Sequence, residues 1–132
     1  MELSLKTAQA MVAHAIETAS ARFARPVCVA VCDQHGFALA FGRMDGAPVR
    51  SIRISQCKAY TASRMGVDTS AFAARLRKDG VPASSFCDDK LTDLPGGSVV
   101  KDGSRVIGAV GISGLAPAED QIISELLAGM TR

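Results

Sequence analysis

Three segments of the 132-residue chain hold side chains that packing alone does not demand. Arg43-Met44-Asp45-Gly46 follows a strand-like run, and Lys58-Ala59-Tyr60 interrupts a helix otherwise built of small and apolar residues. Pro95-Gly96-Gly97 and Gly111-Ile112-Ser113-Gly114 make two glycine-bearing corners at strand ends. Arg43 and Lys58 are cations able to hold a carboxylate, and Lys58 or Asp45 could exchange a proton with its bearer. Glycine lets backbone N–H groups reach a ligand with no Cβ in the way. A helix opening soon after Ser113-Gly114 would aim the positive end of its dipole at the same spot. If these segments converge, Arg43, Asp45, Lys58, Tyr60, Gly96, Gly97, Ser113 and Gly114 line a pocket for an anionic small molecule. Each also has a plainer reading. The glycines serve ordinary turns, Lys58 lays its stem along the helix with its ammonium in water, and Arg43 pairs with Asp45 at the surface, where the pair is worth little. On the pocket reading, Lys58→Met removes a charge, keeps the volume and leaves the fold intact.

Nucleophilic and metal chemistry find less support. His35 sits in a tight turn and His14 flanks an apolar helix stripe, so neither has an evident cysteine partner. Cys28, Cys32, Cys57 and Cys87 include no CxxC pair, and Cys28 and Cys32 share one strand-like run. The expectation is four reduced thiols packing as small apolar groups, no metal site, and a reducing cytoplasm. No Walker loop occurs, and Gly111–Gly114 is not followed by a Rossmann pattern.

The elements that must position these groups are legible from periodicity. Residues 4–23 recur as an apolar helical stripe behind Ser4 as N-cap, and Pro26 ends it. Val27–Cys32 is apolar on both alternating faces, as in a strand covered on two sides. Gln34-His35-Gly36 turns the chain into a returning strand over 37–41. Residues 50–65 form a helix quiet on both faces, and a third helix, capped by Asp68 or Thr69, runs to Lys78. The stretch 80–90 has no period, Leu91–Leu94 reads as a short edge strand, and residues 98–100 and 105–112 form a second hairpin. Pro117 opens a last helix whose Glu119 and Asp120 suit its dipole. A hydrophobic fraction of 48% supports a packed core, and the absence of repeats or linkers makes 1–132 a single domain. A net charge of +2 announces no nucleic-acid partner. No run nears the ~18 apolar residues of a membrane span, and no secretory signal opens the chain.

Five motifs in order carry a family resemblance: Cys32-Asp33-Gln34-His35-Gly36, Phe41-Gly42-Arg43-Met44-Asp45-Gly46-Ala47, Lys58-Ala59-Tyr60-Thr61-Ala62, Pro95-Gly96-Gly97, and Val106 through Gly114. From about Leu3 to Met130 the chain resembles the GlcG/HbpS-like family, which includes the C-terminal domain of PduO-type proteins and carries the label of a heme-binding or heme-degrading domain. The resemblance implies an α/β (α+β), profilin-like domain whose five-stranded antiparallel sheet has helices packed on it. It also implies homo-oligomers, dimers or larger, and heme as one ligand. Heme iron takes a His, Met, Cys or Tyr, and His14 is the candidate by type. The chain departs from the family pattern at Leu115, at Val99 and across 80–90, all near the suspected site.

Two functions follow. One is a small-ligand-binding or accessory protein of a catabolic pathway, with heme as a possible cofactor. The other is a small enzyme on a carboxylate-bearing metabolite, with Arg43 as anion clamp and Lys58 or Asp45 as acid/base. The absence of a visible nucleophile–base pair favours the first. The doubly apolar run Val27–Cys32 adds an expectation of a homodimer or larger, because a second subunit is one way to cover both faces.

Overall fold

The structure, a computed structural model, describes residues 1–131. Ser4 Oγ accepts the Thr7 N–H at 3.1 Å and so caps helix α1, Leu5–Thr18. One π-helical turn, Ala19–Phe23, continues it, and the chain stops where Ala24 takes a left-handed φ of 52°. The stop therefore precedes Pro26, where the sequence places it. Strands β1, Cys28–Asp33, and β2, Ala38–Arg43, form the first hairpin. Its turn is held by the Asp33 carboxylate, which accepts the His35 and Phe37 N–H groups at 2.9 and 3.0 Å. Helices α2, Arg50–Met65, and α3, Thr69–Asp79, follow. The second hairpin is β3, Gly97–Asp102, with β4, Arg105–Ser113, and α4, Pro117–Ala128, closes the fold.

The sheet is antiparallel throughout, in the order β2-β1-β4-β3. It has four strands, not five. The edge strand expected at Leu91–Leu94 does not form, because its donors are used locally. Leu91 N–H goes to the Asp88 carbonyl at 3.2 Å, Thr92 N–H to Thr61 Oγ1 at 2.9 Å, and Leu94 N–H to Thr92 Oγ1 at 3.3 Å. A segment whose N–H groups are taken by turns and hydroxyls has little left to offer a ladder.

Alternation along β1 builds two cores. Val27, Val29 and Val31 join Val110 and Ile112 against Met11 and Ala15 of α1 and Ile123 and Leu127 of α4. Ala30 and Cys32 face the other way, meeting Ala59 and Ala62 of α2. Beyond α2 lies α3, with Phe72 and Leu76 buried. Both faces of β1 are thus covered within one chain, so covering them requires no second copy.

Close contact between α2 and the sheet seats the chemistry. A Cβ at Gly111 would lie 2.0 Å from Ser55 O, and one at Gly97 would lie 2.5 Å from Lys58 O. Only glycine lets the α2 backbone rest on β3 and β4 at that distance. Among the described residues no helix is long and apolar enough to cross a membrane.

Candidate functional site

Lys58 is 1% exposed, although a solvated or snorkelling ammonium was one reading of it. Because α2 lies so near the sheet, its side chain runs inward to the end of β4. There Nζ donates to Ile112 O at 2.8 Å and to Asp120 Oδ2 at 3.0 Å. Gly96, at φ 125°, makes the room: a Cβ there would stand 2.7 Å from Nζ. Asp120, also 1% exposed, accepts the Leu115 N–H on Oδ1 at 3.1 Å. The sequence assigned Glu119 and Asp120 the same duty at the start of α4, but the structure separates them. Glu119 faces out, accepting from Arg25 at 2.6 Å and from the Ala116 N–H at 3.1 Å, while Asp120 turns in to Lys58.

Burial dominates the electrostatics of this pair. It raises the Asp120 carboxyl from the usual range to about 6, against the opposing pull of Lys58. It also lowers the Lys58 ammonium from its ordinary value, with Asp120 resisting. The two shifts run toward each other, and the protons of so close a pair belong to both groups together. Gln121 steadies the surroundings. Its Oε1 accepts the Gly96 N–H at 2.7 Å, and its Nε2 donates to Asp68 Oδ2 at 3.3 Å and Ser98 Oγ at 3.2 Å.

The pair opens onto a cleft of about 210 Å³ bordered by Arg50, Ser51, Ile54, Ser113, Gly114 and Pro117. Of the residues singled out in the sequence, Lys58, Ser113 and Gly114 meet here, and Gly96 and Gly97 abut Lys58 from behind. Arg43 and Asp45 do not line it. Arg43 is exposed on edge strand β2, paired with Cys28, which in turn pairs with Ser113; two strand spacings of about 4.8 Å separate it from β4. Asp45 lies in a hollow with Ser20, Arg25 and Met44, and it forms no ion pair with Arg43 among the described residues. The cation at the cleft is Arg50, and the acid is Asp120. Sequence reasoning missed both, since neither neighbours Lys58 in the chain; the one available signal was an acid beyond the first three helical positions of α4.

Tyr60 belongs to a different place. It lines a groove of about 260 Å³ between α2 and β2, floored by Ala30, Cys32 and Ala38 and edged by Arg53 and Lys90. Its hydroxyl donates to Asp88 Oδ2 at 2.5 Å, which raises its pKa, and Arg64 lies over its ring at 4.8 Å. His14 is on the opposite helical layer, exposed on α1 and bordering neither hollow.

Fold and site together define an α+β protein: a four-stranded antiparallel sheet between helices, with a small polar cleft at one end of its strands. Residues 3–127 match the family described as haem degrading protein HbpS-like, and the chain belongs to that family. It is 33% identical over 129 residues to an uncharacterized 15.0 kDa protein in the dhaT-dhaS intergenic region of Citrobacter freundii, covering 93% of this chain and 87% of that one. It is similar in structure to a double mutant of HbpS from Streptomyces reticuli, with 27% identity and a TM-score of 0.89 over 100% of this chain and 88% of that one. It is also similar to PduOC in a heme complex, with 26% identity and a TM-score of 0.87 over 98% and 94% of the two chains.

Proposed function

We propose that this chain is a ligand-binding accessory protein of a catabolic pathway, and that its ligand is heme, held through His14. The observation that carries the reading is the state of that imidazole. It is exposed on α1 and makes no hydrogen bond among the described residues, so its nitrogens are open to an iron. α1 packs beside α4, whose Ile122 and Leu126 are exposed, and Met130 in the 3₁₀ turn after α4 continues that four-residue spacing as an apolar stripe. Such a surface suits a flat apolar ring approaching from solvent. Membership of the HbpS-like family and likeness to a protein solved with heme support the same ligand. Bound heme supplies iron-centred ligand exchange and redox chemistry; the chain's part is to hold and orient it. Cys28, Cys32 and Met11 are buried, and Tyr60 is engaged by Asp88; His35 is exposed too but sits in the β1–β2 turn, away from the helical layer of α1 and α4. Four unpaired thiols support a reducing, cytoplasmic setting.

Titration of the purified chain with hemin, followed by absorbance, tests the reading. A sharp Soret band saturating near one equivalent is expected, lost in His14→Ala and kept in His35→Ala. A band that persists in His14→Ala moves the ligand elsewhere, and no saturable band overturns heme binding itself.

A further inference from the structure

The cleft at Lys58 and Asp120 has a chemistry of its own. The two groups lie 3.0 Å apart, both almost fully buried, and reach solvent through a cleft rather than at a surface. An ammonium has three donors, and two are spent on Ile112 O and Asp120 Oδ2, which leaves one for a guest. Ser113 is 6% exposed, borders the cleft, and its Oγ has no hydrogen-bond partner among the described residues. No buried side-chain polar atom among the described residues lacks a partner, so this hydroxyl is not stranded; it reaches the cleft's solvent and is free to turn to a guest. Arg50 stands at the border, and α2 begins there without a side-chain cap, so the positive end of a 16-residue helix faces the same space. A cleft of about 210 Å³ has room for a small organic acid.

We propose that this cleft is an acid–base site for a small 2-oxo acid, at which Lys58 and Asp120 interconvert the keto and enol forms. It is independent of tetrapyrrole binding at His14. Arg50 and Ser113 Oγ hold the substrate carboxylate. The proton between the pair moves from Lys58 Nζ to Asp120, giving a neutral amine beside a neutral acid. The amine lone pair takes the proton from the carbon next to the carbonyl. The C–H electrons become the carbon–carbon double bond, the carbonyl π electrons move to oxygen, and that oxygen takes the proton from Asp120. Ammonium and carboxylate are thereby restored, and nothing is oxidised or reduced. The charged groups around the pair are Arg50 across the cleft, Glu119 beside Asp120 with Arg25 bound to it, and Asp68 behind Gln121. Apart from Arg50, none of these borders the cleft, so the pair exchanges its proton with the substrate alone.

Proton NMR in D₂O tests the site, with pyruvate and 2-oxobutyrate as probes and the purified chain as catalyst. Enolisation replaces the hydrogens next to the carbonyl by deuterium, so their signals fade. The folded chain should speed this loss at least tenfold over buffer containing equimolar free lysine. Asp120→Asn should lose the acceleration, with folding checked by circular dichroism. In case removal of that buried group unfolds the chain, Arg50→Ala and Ser113→Ala alter only cleft-lining side chains and should raise the half-saturating probe concentration at least threefold. Lys78→Ala, at an exposed position near the end of α3, should change nothing. No acceleration of either probe by the folded wild-type chain overturns the proposal, as does full acceleration in a folded Asp120→Asn. Half-saturation unchanged in both Arg50→Ala and Ser113→Ala places the reaction outside the cleft and overturns it equally.

Discussion

Lys58→Met distinguishes a buried ion pair from a surface lysine by stability alone. On sequence grounds the substitution spares the fold. The structure reverses that, because Met keeps the stem but leaves Asp120, 1% exposed, with a charge and no cation. Breaking one side of a buried pair costs about 3–5 kcal/mol. In a chain of this length each kcal/mol moves Tm by about 4 °C, so a fall of about 12–20 °C is expected at pH 8. The deficit must also depend on pH. Asp120 already sits at about 6 in the folded chain, above its ordinary value, and loss of Lys58 drives it higher still. A carboxyl whose folded pKa exceeds its unfolded one carries no penalty below the unfolded value and a growing one as pH rises through the folded value. Thermal unfolding followed by circular dichroism at pH 8 and pH 5 should therefore show the deficit shrinking by about half or more in acid. The double variant Lys58→Met with Asp120→Asn retains the acceptor for the Leu115 N–H and removes the stranded charge, so it should recover most of the loss. A Lys58→Met chain that melts within 2 °C of wild type at both pH values, an order-of-magnitude below the cost expected for a buried pair, refutes the buried-pair account.

Thiol titration in denaturant without reductant should return close to four groups; about two would reveal a disulfide. In the native chain exposed Cys87 should react first and Cys32 last, since burial pushes the Cys32 thiol up to about 12. Gly111→Ala should cost more than about 3 kcal/mol or prevent folding, because its Cβ meets backbone, Ser55 O, at 2.0 Å. Denaturant melts check this, and a near-neutral effect would mean α2 does not rest on β4 as described. Light scattering at micromolar concentration should give at least twice the chain mass of 13.7 kDa, as proposed from the family resemblance and with exposed Phe37 and Phe41 near edge strand β2 as one surface for a second copy. A 13.7 kDa particle would count directly against it.

Much of the fold is legible in the sequence, because helices and hairpins are written in residues a few positions apart. Ser4 and the stripe behind it define α1; the alternation of Val27, Val29 and Val31 with Cys28, Ala30 and Cys32 assigns two faces that the structure fills with different helices. The glycine corners and Lys58 were recognisable as unusual because each breaks its local pattern. What only the tertiary structure decided was which groups meet. Lys58 finds Asp120 at a separation of 62 residues and Ile112 O at 54, across three elements whose spacing depends on glycines beneath α2. Arg43 and Asp45, closer to Lys58 in sequence, end on other parts of the surface, and Arg50 takes the place expected of Arg43. Leu91–Leu94 has the composition of a strand but spends its donors on Asp88, Thr61 and its own Thr92. Periodicity reports which side of an element is apolar, over distances of one helical turn. The partner of a buried charge is set by how closely whole elements pack, and that is a property of the assembled fold.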